Sequence, residues 1–131
     1  MTRADAEAFA RRWIAVWNAR DLDTMLGFFA EDVRFTSPHA TLRIGAPVVT
    51  GKPALRGYWA IALAQLGPFE FVLDRVVWDD ARHELAIVYT SVRDGVRHRA
   101  VELLRFGPGG LVVEGEALYG VTLPDAGPAL A

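Results

Sequence analysis

The chain predicts an α+β fold, with helices gathered in the first half and a curved antiparallel sheet in the second. Three observations carry this. Apolar residues recur at three- and four-residue spacing up to Leu66, and at a spacing of two from Phe69 onward. Strand-like segments at roughly 69–79, 84–93, 96–106 and 111–121 follow one another with short connections, which makes neighbours antiparallel. One connection, Asp94-Gly95, is a strong hairpin signal. Helices first and a meander afterwards is the order of an α+β fold with helices covering one sheet face.

The first helix is expected from about Ala4 to Ala19, opened by a Thr2/Asp5 capping box. Its stripe of Phe9, Ala10, Trp13, Ile14 and Trp17 puts two tryptophans one turn apart on the buried side. After a break at Asn18-Ala19-Arg20, Asp21 caps a second helix with Leu22, Met25, Leu26 and Phe29 inward. Val33–Ser37 alternates as a short strand stopped by Pro38, and residues 38–50 read as a loop with a brief strand at Thr41–Ile44. The third helix is punctuated by Gly51-Lys52-Pro53 at its start and Gly67-Pro68 at its end, with Leu55, Tyr58, Trp59, Ala62, Leu63 and Leu66 as its apolar positions. The Pro/Gly/Ala-rich tail, 124–131, reads as frayed, and residues 1–131 as one domain.

Composition narrows the function classes. A net charge of −2, with arginines that form no basic block, leaves no footprint for nucleic acid. Without cysteine there is no disulfide, thiolate chemistry or cysteine–zinc site. The first residues lack the apolar core of a signal peptide and no apolar run suits a membrane span, so a cytoplasmic protein is expected. The histidines show no close ligand spacing, so neither metal nor cofactor is expected.

The informative residue is Glu102. Along Val96–Phe106, side chains alternate faces, so His98, Ala100, Glu102, Leu104 and Phe106 share one face. A carboxylate on an apolar face is costly unless it is paired, protonated or used. Tyr89 and Tyr119 are expected on the same inner surface, with Gly115 and Ala117 leaving room for a ligand beneath Tyr119. His39 follows Ser37-Pro38 on a loop that would rim the cavity, and His98 sits nearer its mouth than Glu102. The opposite face would carry Val72, Val76, Trp78, Val88, Val101, Leu103 and Leu118, more apolar surface than a monomer leaves wet. A homodimer through the sheet is expected, with Arg97, Arg99, Arg105, Glu114 and Glu116 as its polar part.

Four stretches carry a family resemblance: Trp17–Asp23 between the first helices, Phe29–Phe35 entering the first strand, Thr50–Leu55 opening the third helix, and Glu102–Phe106 on the sheet. Over about residues 5–122 the chain resembles the nuclear transport factor 2-like superfamily, in its SnoaL-like and ketosteroid isomerase-like branch. The resemblance implies a cone-shaped α+β barrel whose cavity takes a small, largely apolar molecule. Relatives of this kind include isomerases, cyclases, dehydratases, epoxide hydrolases and non-catalytic binding proteins.

Carried over residue by residue, the isomerase machinery is incomplete. The family's carboxylate base matches Ser37, which has no pKa near neutrality. The tyrosine of the oxyanion hole matches Trp13, supporting tyrosines match Phe29 and Trp59, and the protonated acid matches Glu102. The Asp-Arg-Asp set of the epoxide hydrolases is missing apart from Glu102. The expected catalytic set is therefore Glu102 with His39 and Tyr119, in a pocket of Trp13, Trp17, Phe29, Ser37, Trp59, Tyr89, His98 and Gly115. Its activity would be proton transfer of the isomerase, cyclase or dehydratase kind, though not ketosteroid isomerisation itself. The alternative is a binding or structural dimer without turnover.

Overall fold

The structure is a computed structural model and describes residues 1–124; the remainder of the expected tail lies outside the described residues. Helix α1 spans Arg3–Asn18 and α2 spans Leu22–Leu26, followed by strand β1 at Phe29–Thr36. Helix α3 (Pro38–Ile44), strand β2 (Val48–Thr50) and helix α4 (Lys52–Gln65) complete the first half. The second half is β3 (Phe69–Asp79), β4 (Glu84–Arg93), β5 (Val96–Phe106) and β6 (Val112–Thr122). No helix among the described residues is long and apolar enough to cross a membrane.

The caps form as the sequence implies. Thr2 and Asp5 exchange side-chain and backbone hydrogen bonds, and the Asp21 carboxylate accepts from the Thr24 N–H at 3.1 Å. Asp94 and Gly95 both take positive φ, 52° and 74°, as a type I′ hairpin turn requires.

The six strands form one unclosed curved sheet in the order β2-β1-β6-β5-β4-β3. Every pairing is antiparallel except β1 with β6, which run parallel. The helices cover the concave face. Trp13, Met25, Phe29, Leu55, Leu85, Ile87 and Leu104 fill the interface almost without exposure. Trp59 is the junction, with the rings of Trp17, Phe29 and Phe35 edge-on to it at 5.0, 5.2 and 5.5 Å.

Three expectations are corrected. Residues 38–44 are a helix, not a loop with a strand at Thr41–Ile44. Ser37 is its N-cap, Pro38 sits at its first turn where a missing N–H costs nothing, and Gly45 ends it at φ 79°. Phe29 opens β1 instead of closing α2. Val76 and Trp78 face inward, because the β3/β4 register passes from Leu73↔Tyr89 to Arg75↔Val88 and leaves Asp74 as a bulge. One extra residue flips every later side chain to the other face. The outer apolar surface is therefore Val72, Val77 and Leu118, all exposed, with half-buried Val101 and Leu103 and an already buried Val88.

Helix α1 is tied to the edge strand by an amide. Asn18 Nδ2 donates to the Phe71 carbonyl at 2.9 Å, and the Phe71 N–H donates to Asn18 Oδ1 at 2.7 Å. The side chain thus takes the place of a neighbouring strand beside one wall of the cavity. Arg20 extends the clamp, donating to the Gly67 carbonyl at 2.6 Å with its guanidinium over the Phe69 ring.

Candidate functional site

The concave face holds a cavity in two joined compartments. The inner one, about 90 Å³, is walled by Trp13, Trp17, Phe35, Trp59, Ala117 and Tyr119 and reaches Glu102. The outer one, about 200 Å³, runs past Phe69, Phe71 and Tyr89 to Ser91, Arg93 and His98. His39, Leu66, Phe69, Phe71, Tyr89 and Tyr119 belong to both.

Strand pairing explains the layering. On the inner face Glu102 lies between Ile87 and Ala117, Ala100 between Tyr89 and Tyr119, and His98 between Ser91 and Thr122. Polarity thus rises from Glu102 toward the mouth along consecutive inward positions of three strands.

Glu102 is 4% exposed. Burial pushes its pKa well above the ordinary 4.5, and no neighbouring charge or hydrogen bond among the described residues pulls it back. Its carboxyl group is therefore held toward the protonated, hydrogen-bond-donating form. Above it, the Trp13 ring stacks on Phe71 at 5.9 Å and meets Tyr89 edge-on at 5.2 Å. The Trp13 indole Nε1 is buried without a partner, a second unspent donor in the wall. Burial, then the Glu102 charge, push the Tyr89 phenol upward as well.

Tyr119 is 44% exposed as a residue, yet its phenol end is turned inward toward Ser37 and Glu102. Desolvation there raises its pKa, with the Glu102 charge adding to the effect. The His39 imidazole stacks on the Tyr119 ring, centroids 4.1 Å apart and planes within 9°. Burial first, then the charges of Arg43 and Arg93, lower the His39 pKa, so its ring is neutral at pH 7.

Ser37 is fully buried and its oxygen is already engaged. It accepts from the His39 N–H as the α3 cap, and from the Tyr58 hydroxyl, both at 3.2 Å. Three proposed wall residues, Ser37 among them, do not line the cavity. Phe29 is buried behind Trp59. The room beside Gly115 is taken by the Phe35 ring, since a Cβ there would come within 2.9 Å of Phe35 Cδ2 and 3.2 Å of Leu104 Cδ2. Among the described residues no three histidine, aspartate or glutamate side chains group to hold a metal.

Sequence reasoning missed Tyr58, Arg43, Arg93 and Phe71. Tyr58 lies one position before Trp59 on the apolar stripe of its helix, yet it supplies a hydroxyl where Phe29 and Trp59 have none. Arg43 was hidden by reading its helix as a loop. His39 and Arg43, spaced i and i+4, would have flagged one shared helix face.

Comparison with known proteins matches this architecture. The family model for the SnoaL-like domain matches residues 10–115. A SnoaL-like protein of unknown function from Burkholderia thailandensis is 31% identical, with a TM-score of 0.82 over 92% of this chain and 98% of its own. A putative ketosteroid isomerase from Kribbella flavida (19% identity, TM-score 0.70, 95% and 83% of the two chains) shares the fold. So does the BvnE pinacolase of Penicillium brevicompactum (18% identity, TM-score 0.70, 89% and 86%). The search of functionally curated proteins found no match. With the family model spanning most of its length and the helix-covered curved sheet in place, the chain belongs to the SnoaL-like domain family.

Proposed function

We propose that the protein binds a small, largely apolar molecule in this cavity and moves a proton on it, with Glu102 as the acid. The carrying observation is an unpaired, fully buried carboxyl group at the end of an aromatic-walled cavity. A protonated Glu102 donates a hydrogen bond to a carbonyl or departing hydroxyl oxygen of the ligand, and stabilises charge developing there in a desolvated site. The neutral His39 ring is the group able to accept a proton from carbon, in place of the carboxylate that Ser37 does not provide. Isomerisation, cyclisation and dehydration all use this pair of roles. The ketosteroid isomerase and pinacolase neighbours support the reaction class at the level of fold.

A second reading, binding without turnover, is favoured by the His39 ring being stacked on Tyr119 and by the engagement of Ser37. One experiment separates the two. Native mass spectrometry of the purified protein identifies a retained ligand, whose conversion is then followed with Glu102 and with Glu102→Gln. Proton transfer predicts loss of turnover, at least about a hundredfold, with binding kept. Equal turnover by both proteins would sink the acid role, and binding with no conversion by either selects the second reading.

We also propose a homodimer formed through the outer sheet face around Val72, Val101, Leu103 and Leu118. Charges there are partly matched within the chain, Arg105 to Glu114 at 2.7 Å and Arg99 to Asp74 at 2.9 Å, which lowers the cost of covering them. Sedimentation should give a dimer, converted to monomer by Leu118→Asp; a monomeric wild-type protein at tens of micromolar refutes it.

A further inference from the structure

Resting on the reading of the cavity as a ligand site, we infer that its mouth takes the carboxylate of the ligand, so that the substrate class is a small acid with an apolar body. The mouth and the inner end differ in charge. Glu102 is the one carboxylate lining either compartment, and it lies at the inner end. The mouth carries Arg93, His39 and His98, with no acidic side chain among its lining residues, and Arg43 lines the inner compartment on its His39 side, next to the mouth.

The two arginines are not occupied elsewhere. Among the described residues neither Arg43 nor Arg93 has an ion-pair partner. Arg43 Nε and His98 Nδ1 are buried with no hydrogen-bond partner, which in a folded protein is costly for a polar atom. Both arginines lie close enough to His39 to depress its ionisation, which places two positive charges around one ring. Like charges held together without an anion are a cost to the fold unless a ligand brings the anion.

The shape of the site suits the assignment. A guanidinium is a planar fork that pairs a carboxylate through two parallel hydrogen bonds. Phe69, Phe71 and Tyr89 continue the apolar wall from the mouth inward, so an acid anchored at Arg43 and Arg93 directs its hydrocarbon part toward Trp13 and Glu102. The arrangement also fixes polarity. The protonated acid of the protein and the ionised acid of the ligand sit at opposite ends, where neither raises the cost of the other.

The test uses a matched pair of probes, naphthoate and naphthyl methyl ketone, read by quenching of the tryptophans that line the cavity. The wild-type protein should bind the acid at least about tenfold more tightly than the ketone. The Arg43→Met/Arg93→Met protein should lose that preference while keeping its affinity for the ketone, which also reports that it is folded. Equal affinity of the wild type for both probes, or a preference that survives in the double variant, overturns the inference and leaves the apolar pocket standing. Failure of both probes to bind overturns the pocket reading with it. Should the double variant not fold, NMR titration of His39 in the wild type decides. Naphthoate should raise the His39 pKa by at least about half a unit and the ketone should not; an unchanged pKa with naphthoate bound overturns the inference.

Discussion

Replacing Glu102 by glutamine keeps the volume of the side chain and removes the proton, so it isolates what ionisation of this one group does to the fold. In the folded chain burial raises the Glu102 pKa well above the 4.5 of a solvated glutamate. Below that ordinary value the group is protonated in both folded and unfolded states and contributes no pH dependence. As pH rises past it, the unfolded chain releases the proton and the folded chain does not, so stability falls. The loss accrues at about 1.4 kcal/mol per pH unit and stops once pH passes the folded pKa. Glu102→Gln has no proton to lose. Its stability relative to the wild type should therefore climb with that slope, starting near pH 5 and levelling off once pH passes the folded pKa. Urea unfolding followed by tryptophan fluorescence, at steps from about pH 5 to about pH 8, gives the difference curve directly. The exposed carboxylates Asp5, Asp21, Asp74 and Glu114, held below their usual range by hydrogen bonds and arginines, titrate in both proteins and cancel. A flat difference curve across that window, or a carboxyl carbon of Glu102 that titrates near 4.5 by NMR, would refute the desolvation argument and the protonated-donor role together.

Two further outcomes test the packing that shapes the site. Asn18→Ala should cost about 1–2 kcal/mol in urea unfolding, because it strips both hydrogen bonds from the Phe71 main chain, and amide exchange at Phe71 should accelerate. Unchanged exchange there would show that β3 is held by β4 alone. Gly115→Ala should cost about 1–3 kcal/mol, since its methyl group would press on Phe35 and Leu104; a neutral change would mean that the Phe35 ring has room to withdraw.

The legible parts of the fold were those written locally. The Thr2/Asp5 box, the Asp21 cap and the Asp94-Gly95 turn each sit within a few residues of the structure they specify. The same local reading failed at Ser37-Pro38, where one dipeptide serves both as the end of a strand and as the cap and first turn of a helix. Trp78 was misplaced because period-two counting assumes an unbroken strand. The apolar positions Phe69, Phe71 and Leu73 are out of step with Val76 and Trp78, and that slip of one is the only local trace of the bulge. The parallel pairing of β1 with β6 joins residues some eighty positions apart, for example Phe35 and Gly115, and no short window contains it. Gly115 looks like vacant space in the sequence for the same reason: the Phe35 ring that fills it comes from a strand some eighty residues away. For the site, Glu102 stood out because a charge interrupts an apolar alternation. Arg43 and Arg93 did not, since an isolated arginine in a loop or beside a turn is ordinary in sequence and acquires meaning only by convergence.

Helix α3 has a consequence of a different kind. Its seven residues present His39 and Arg43 on one side, and it is fastened by a proline turn, a left-handed glycine and one serine oxygen shared with Tyr58. The inner end of the cavity, by contrast, is built largely from α1, α4, β1, β5 and β6, where Trp13, Trp17, Phe35, Trp59 and Ala117 also belong to the hydrophobic core. Ala40 is the one α3 residue in the core, so changes at His39 and Arg43 leave the core in place, while changes at the inner end disturb both. A lineage can exchange one short insert and alter which molecules are admitted, while the buried acid, and whatever it does to them, is inherited unchanged.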